Sequence, residues 1–283
     1  MYLGAALAVD LFDRLSPAVV AVLRLLGAAL VLLAWRRPGR AAWQGRRLRR
    51  AAAFGLATAL MNVAFYEAIA RLPLGTAVAV EFCGPVTVAA LASRKPRDIA
   101  AVALAGLGVV LIADVRWADS PAGVLWALAA AALWAAYIVL GKRVASAGSG
   151  VDDLAVGFGV AMLVLSPVLL ARLFTPAGRA ELSALVEPRV LLIAVGIGVL
   201  SSVVPYVLDQ VVLRRVGRAR FAVLLALLPA TATVVGLLVL EQLPSPLEAA
   251  GIAAVVGAVA LRSRDGDFPT EPEIVTEGDH RTE

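Results

Sequence analysis

The chain has 283 residues, 61% of them hydrophobic, and a net charge of +5. Its mean hydropathy of +0.87 and an apolar content far above the roughly 45–50% of a soluble domain define an integral membrane protein. One cysteine, Cys83, leaves no internal disulfide, and the single histidine, His280, stands in a polar tail. A Ser/His/Asp triad or a histidine-ligated metal site among the apolar segments is thereby excluded, so no catalytic residue, metal or cofactor is expected.

A spanning helix takes about 20 apolar residues. The sequence predicts spans near 17–35, 51–70, 74–93, 98–114, 121–141, 154–174, 189–210, 219–240 and 246–262. Met1 to Val9 is apolar but too short to cross, and it lacks the basic leading region of a cleavable signal peptide. It reads as the end of a first helix whose upstream half is missing, which makes the complete count ten.

Arginine and lysine in the loops set the orientation. If the start of the chain faces the cytoplasm, the inward loops hold Arg36, Arg37, Arg40, Arg46, Arg47, Arg49 and Arg50, then Arg94, Lys95 and Arg97, then Lys142 and Arg143, then Arg214, Arg215, Arg218 and Arg220, and last Arg262 and Arg264. The outward loops hold Arg14, Arg71, Arg116, Arg172, Arg179 and Arg189, an asymmetry of three to one that puts both ends inside. The first arginine cluster sits in a short loop between apolar runs, where this rule expects it, so nucleic acid is not the expected partner.

Two halves resemble each other when Pro85 is aligned with Pro229, and five spans per half forces equivalent helices to cross in opposite directions. The loop charges agree: the loop at Arg71 is poor in charge where its counterpart at Arg214 to Arg220 is rich. This is the pattern of an inverted repeat, with a site near the midplane between the halves. The expected units are residues 1–114, residues 119–262 and a disordered acidic cytoplasmic tail at 263–283. Small-residue stripes at Ala127, Ala131 and Ala135, and at Ala250, Ala254 and Ala258, suit close helix packing or a homodimer contact.

Glu81 is the centre of the functional reading. A charge in the middle of a spanning helix costs about 3 kcal/mol, so it normally faces the bundle interior or a watered cavity. Pro85, one turn later, has no N–H to engage the Glu81 carbonyl, so the backbone is loosened where the carboxylate sits. Arg24 and Glu81 each lie about seven residues from the outer side, roughly 10 Å deep, and Tyr66 and Asn62 lie at roughly 7 and 13 Å on one face of their helix. Arg24 and Glu81 read either as a structural ion pair or as the two ends of a cradle for a zwitterion, Arg24 meeting a carboxylate and Glu81 an ammonium or a coupling proton. The second half adds Trp134 and Tyr137 near mid-span, Pro205 and Tyr206, Asp209 near the inner surface, and Glu241 at an outer, solvated end.

The strings Met61 to Tyr66, Leu72 to Pro85, Leu133 to Leu140, and Val204-Pro205-Tyr206 with Asp209 resemble the EamA family of the drug/metabolite transporter superfamily, and within it the threonine and homoserine exporter branch. The resemblance runs from about Gly4 to Arg262. It implies an all-α polytopic membrane protein of ten helices in two inverted five-helix repeats, both ends cytoplasmic, that exports amino acids or related small metabolites across a bacterial inner membrane. Asp209 departs from it, standing where the longer Glu is expected, and the first helix is incomplete.

The expected function is therefore secondary transport by alternating access. No nucleotide-binding P-loop is present, so an ion gradient or the substrate's own gradient would drive it. Two alternatives stand beside this: efflux of lipophilic or cationic compounds, held by Glu81 and the aromatic residues, and a non-transporting membrane scaffold.

Overall fold

Prolines and polar caps mark where the helices begin. The computed structural model describes residues 2–9, 11–92, 96–145, 150–176, 178–179, 181, 187, 196 and 228–263. Regular structure among these is all helical: α1 (Tyr2–Val9), α2 (Pro17–Arg36), a 3-10 turn (Arg40–Trp43), α3 (Gly45–Ile69), α4 (Leu74–Glu81), α5 (Cys83–Ala92), α6 (Pro96–Arg116), α7 (Pro121–Ala145), α8 (Gly150–Leu173), α9 (Leu228–Leu240) and α10 (Pro246–Ser263). Four of these helices open on proline, whose fixed φ suits the first turn and whose missing N–H would be unbonded there anyway. Helix α2 ends at Arg37 in the left-handed region, φ 44°, its N–H bonded to the Leu33 carbonyl, and Pro38 then prevents continuation.

Segments long and apolar enough to cross a membrane occur at Pro17–Arg36, Gly45–Ile69, Pro96–Ala113 and Pro121–Gly141, with shorter apolar helices at Leu74–Val88, Leu228–Leu240 and Pro246–Leu261. Two expected boundaries move. The span expected at 51–70 begins at Gly45, because Arg46, Arg47, Arg49 and Arg50 extend the helix beyond its apolar run. The span expected at 74–93 is interrupted: α4 stops at Glu81, Phe82 stands between, and α5 resumes at Cys83. Proline at position 85 explains the break, since it has no N–H for the Glu81 carbonyl. The spans expected at 189–210, apart from Gly196, and over 219–227, together with Pro205, Tyr206, Asp209, the arginines from 214 to 220 and the tail from 264, lie outside the described residues.

Packing sorts the helices into two groups. Helix α3 lies along α7 and α8, and α2 along α8; α6 lies along α10, and α4 along α9. Helices α4 and α5 also meet α7, which joins the groups. The main core gathers Tyr2, Leu15, Val20, Phe65, Tyr66, Leu74, Val78, Val80, Phe82 and Ile112 with parts of α7, α9 and α10.

Small residues let backbones touch at the crossings. A Cβ on Gly55 would strike the Gly157 backbone between α3 and α8, one on Gly84 would strike the Ala131 carbonyl between α5 and α7, and Gly108 and Gly251 face each other between α6 and α10. Ala131, one residue of the first small-residue stripe, thus lies against α5. A side chain at such a position forces whole helices apart, which typically costs about 1–3 kcal/mol. Gly55→Val should therefore lower the thermal unfolding midpoint in detergent by several degrees, whereas Gly106→Ala, where a Cβ meets nothing within 4 Å, should leave it equal or higher.

Candidate functional site

Helix α3 presents a polar stripe at four-residue spacing. Thr58 Oγ1 donates to the Phe54 carbonyl at 2.8 Å, and Asn62 Nδ2 donates to the Thr58 carbonyl at 2.8 Å. One turn further on, Tyr66 is fully buried. Its hydroxyl accepts from Arg24 Nη1 at 3.5 Å, and the guanidinium carbon lies 5.6 Å from its ring centroid. Phe12 packs edge-on against the same ring at 6.0 Å. Hydrogen bonding and ring contact together hold the Arg24 charge in the core, where an unsupported one would be costly.

Glu81 ends α4 and is 4% exposed. It lies within electrostatic reach of both Arg24 and Tyr2. Phe82, at the break, meets Trp134 of α7 edge-to-face with centroids 4.7 Å apart. The Tyr2 hydroxyl is buried without a hydrogen-bond partner among the described residues. Helices α1, α2, α3 and α4 thus bring Tyr2, Arg24, Tyr66 and Glu81 into one apolar core, with Asn62 a turn away and Trp134 beside the break.

Tyr137 is elsewhere. It stacks on Phe54 at 4.9 Å, in a second cluster with Leu25, Leu32 and Phe158. Pro85 follows the break, Pro229 stands in the first turn of the described part of α9, and Pro205, Tyr206 and Asp209 lie outside the described residues. Glu241 is exposed, with φ 54°. Cys83 donates from Sγ to the Ala105 carbonyl at 3.7 Å, which ties α5 to α6.

A second polar centre was missed by the sequence reading. Glu248 is 0% exposed at the start of α10. It forms a capping box with Ser245, accepting from the Ser245 N–H at 3.1 Å while its own N–H donates to Ser245 Oγ at 3.3 Å. The same carboxylate takes Arg116 side-on, at 2.6 Å from Nε and 2.8 Å from Nη2. Thr76 Oγ1 of α4 donates to it at 2.9 Å. Beside it, the Leu74 N–H donates to Gln242 Oε1 at 2.8 Å. The capping signature Ser245-Pro246-Leu247-Glu248 was present in the sequence; its partners Thr76 and Arg116 carried no signal, because nothing local joins them to it.

At the arginine-rich end, Asp152 and Asp153 open α8 and take Arg36 at 2.8 Å and Arg47 at 2.6 Å. Carboxylates in a first helical turn also complement the helix dipole. Three arginines of the loops assigned to the other side are each matched by a glutamate: Arg14 with Glu187, Arg71 with Glu67, Arg116 with Glu248.

Apolar helices of spanning length around an enclosed set of polar side chains define a polytopic α-helical membrane protein with a buried polar cluster. Residues 121–264 match the model of the EamA-like transporter family. The chain is 34% identical over 260 residues to the threonine/homoserine exporter RhtA of Escherichia coli K12, covering 90% of this chain and 84% of that one, and the RhtA protein of Salmonella typhimurium LT2 matches to the same extent. A crystal structure of another protein aligns over 92% of both chains at a TM-score of 0.51 and 19% identity, a likeness of fold. The chain belongs to the EamA-like transporter family.

Removing Glu248 strands a charged partner, a change that costs about 3–5 kcal/mol for a buried pair. Because Arg116 keeps some exposure, Glu248→Ala should cost about 3 kcal/mol of unfolding free energy, at the low end. Thr76→Val should cost about 1 kcal/mol, and the double variant less than the sum, measured as a thermal double-mutant cycle.

Proposed function

We propose that this chain is a secondary exporter of threonine- and homoserine-like amino acids, or of closely related small polar metabolites, working by alternating access in a bacterial inner membrane. The reading is carried by one observation: Arg24, Tyr66 and Glu81 share an enclosed apolar core in a chain 34% identical to threonine/homoserine exporters over most of its length.

An amino acid presents a carboxylate, an ammonium and, in these substrates, a hydroxyl. Arg24 meets the carboxylate, since a guanidinium matches its two oxygens. Glu81 meets the ammonium or carries a coupling proton. The open hydroxyl of Tyr2 and the amide oxygen of Asn62 receive the substrate hydroxyl, and the Phe82–Trp134 contact closes the apolar wall. From the second half, Tyr206 and Asp209 complete the site, and Tyr137 supports the wall of α3 through Phe54. At Phe82 the i to i−4 bonds to the Val78 carbonyl and from the Val86 N–H persist, so the weak point is the Glu81 carbonyl, which Pro85 leaves without its helical donor and free to meet a substrate ammonium.

The architecture we assign is ten helices in two inverted repeats, residues 1–114 and 119–262, with both ends cytoplasmic. Contacts of α2 with α8, α4 with α9 and α6 with α10 support it, because each pair occupies corresponding places in the two halves. So does the Gly108–Gly251 crossing: the alignment of Pro85 with Pro229 carries Gly108 to within one residue of Gly251.

Purified protein in proteoliposomes tests the reading by efflux of labelled threonine with and without a pH gradient. Glu81→Gln should lose at least about tenfold of gradient-driven flux, and Arg24→Gln should raise the half-saturating concentration about tenfold or more, as expected for a charged hydrogen bond. Gradient-dependent flux at the wild-type level in Glu81→Gln would remove that residue from the mechanism. Competition by a lipophilic dye cation but not by homoserine would replace amino-acid export with cation efflux. Tyr2→Phe should shrink the preference for threonine over valine about tenfold, because a site that no longer bonds the hydroxyl discriminates by shape alone.

A further inference from the structure

We propose that the loop joining α2 to α3 is a binding site for anionic phospholipid headgroups. Five arginines here, Arg37 and Arg40 in the loop itself and Arg46, Arg49 and Arg50 in the first turns of α3 that continue it, are exposed, and none forms an ion pair with a described carboxylate. Nor does the sequence supply a neutralising group nearby, since no Asp or Glu occurs between Asp13 and Glu67. Among the described residues, the two acids that reach the helix ends flanking this loop, Asp152 and Asp153, are already engaged with Arg36 and Arg47.

The loop is a folded platform. Ala42 in the 3-10 turn is 2% exposed and packs with Ala51 and Val156, flanked by Trp43, Leu48 and Val160. The two ion pairs to α8 fix its ends. The remaining guanidinium groups are therefore displayed from a held backbone.

Position selects the ligand. On α3, Arg46, Arg49 and Arg50 share a face that continues into exposed Ala53 and Leu60; on α2, Leu26 and Leu30 are 40% and 58% exposed. In a membrane-spanning chain such open apolar faces border acyl chains, so the arginines at their end stand at headgroup level. Trp35, 60% exposed with the Arg36 guanidinium 5.8 Å from its ring centroid, is the residue type that settles at that depth. Guanidinium pairs phosphate through two parallel hydrogen bonds, and clustered basic residues beside a span attract anionic lipid. A soluble acidic partner would have no use for the adjoining apolar faces.

The test uses the full chain in neutral micelles and asks which lipid stays bound and which raises the unfolding midpoint. Probes are phosphatidylglycerol, phosphatidylcholine, and free glycerol phosphate. Phosphatidylglycerol should be retained in preference to phosphatidylcholine, the preference should fall as salt is raised, and free glycerol phosphate should do nothing at the same concentration. R40Q/R46Q/R49Q/R50Q should weaken retention at least about tenfold, and the milder R49Q/R50Q several-fold should the quadruple variant fail to fold; the corresponding lysine variants should keep most of it. Equal retention of the two lipids, a preference insensitive to salt or to R49Q/R50Q, or the same response to free glycerol phosphate would overturn the site. So would a preference seen only after the chain is cut behind Ser263, which would mean that the acidic tail occupies the platform.

Discussion

A charged arginine and a carboxylate inside an apolar core are the constraint on which the rest of this protein depends. Each would be expelled from hydrocarbon on its own. Arg24 is held by the hydroxyl and ring of Tyr66, and Glu81 is placed where its own helix is broken. Because Pro85 interrupts the segment just past Glu81, the chain supplies a polar side chain and a loosened backbone at the same point. The packing around them, from the Phe12–Tyr66 contact to the Phe82–Trp134 contact, keeps lipid away from both.

The helices do not group by sequence half. Helices α2, α3, α7 and α8 form one set, and α4, α6, α9 and α10 the other, so each set draws on both halves of the chain. Arg24, Asn62 and Tyr66 belong to the first set and Glu81 to the second. The strongest polar bridges stay inside a set: Arg36–Asp152 and Arg47–Asp153 in the first, the Arg116–Glu248–Thr76 centre in the second. The sets meet through the main core, where Val20, Phe65 and Tyr66 of the first join Leu74, Val78 and Val80 of the second, and through the contacts of α4 and α5 with α7. A relative movement of the sets would therefore change the Arg24 to Glu81 separation while leaving the ion pairs intact.

Much of this was legible in the residues and some was not. Membrane class, most spans and the break at Pro85 followed from apolar run length and from proline's missing N–H, which are local properties. Asn62 and Tyr66 fell on one face because four-residue spacing on a helix fixes that. Thr58 extends the same spacing and was overlooked, since threonine in an apolar run attracts no notice until its neighbours are polar too. Tyr137 and Trp134 are three residues apart on α7, yet they enter different clusters; sequence spacing places both near mid-span but does not say which neighbour each ring meets. The Glu248 centre depends on Arg116 and Thr76, distant in the chain, and long-range pairing of that kind leaves no trace in a single sequence. The early start of α3 was hidden by the arginines that extend it.

Where Gly108 lies against Gly251, and Gly55 against Gly157, two main chains touch with no rotamer between them. A crossing of that kind behaves like a rivet: it resists separation, since there is no side-chain layer to compress at the point of contact, and at Gly108 and Gly251 the side chains of Val255 and Ile112 close in around it. Adaptation to new cargo would then be free to reshape the pocket lining while these bare junctions stay fixed.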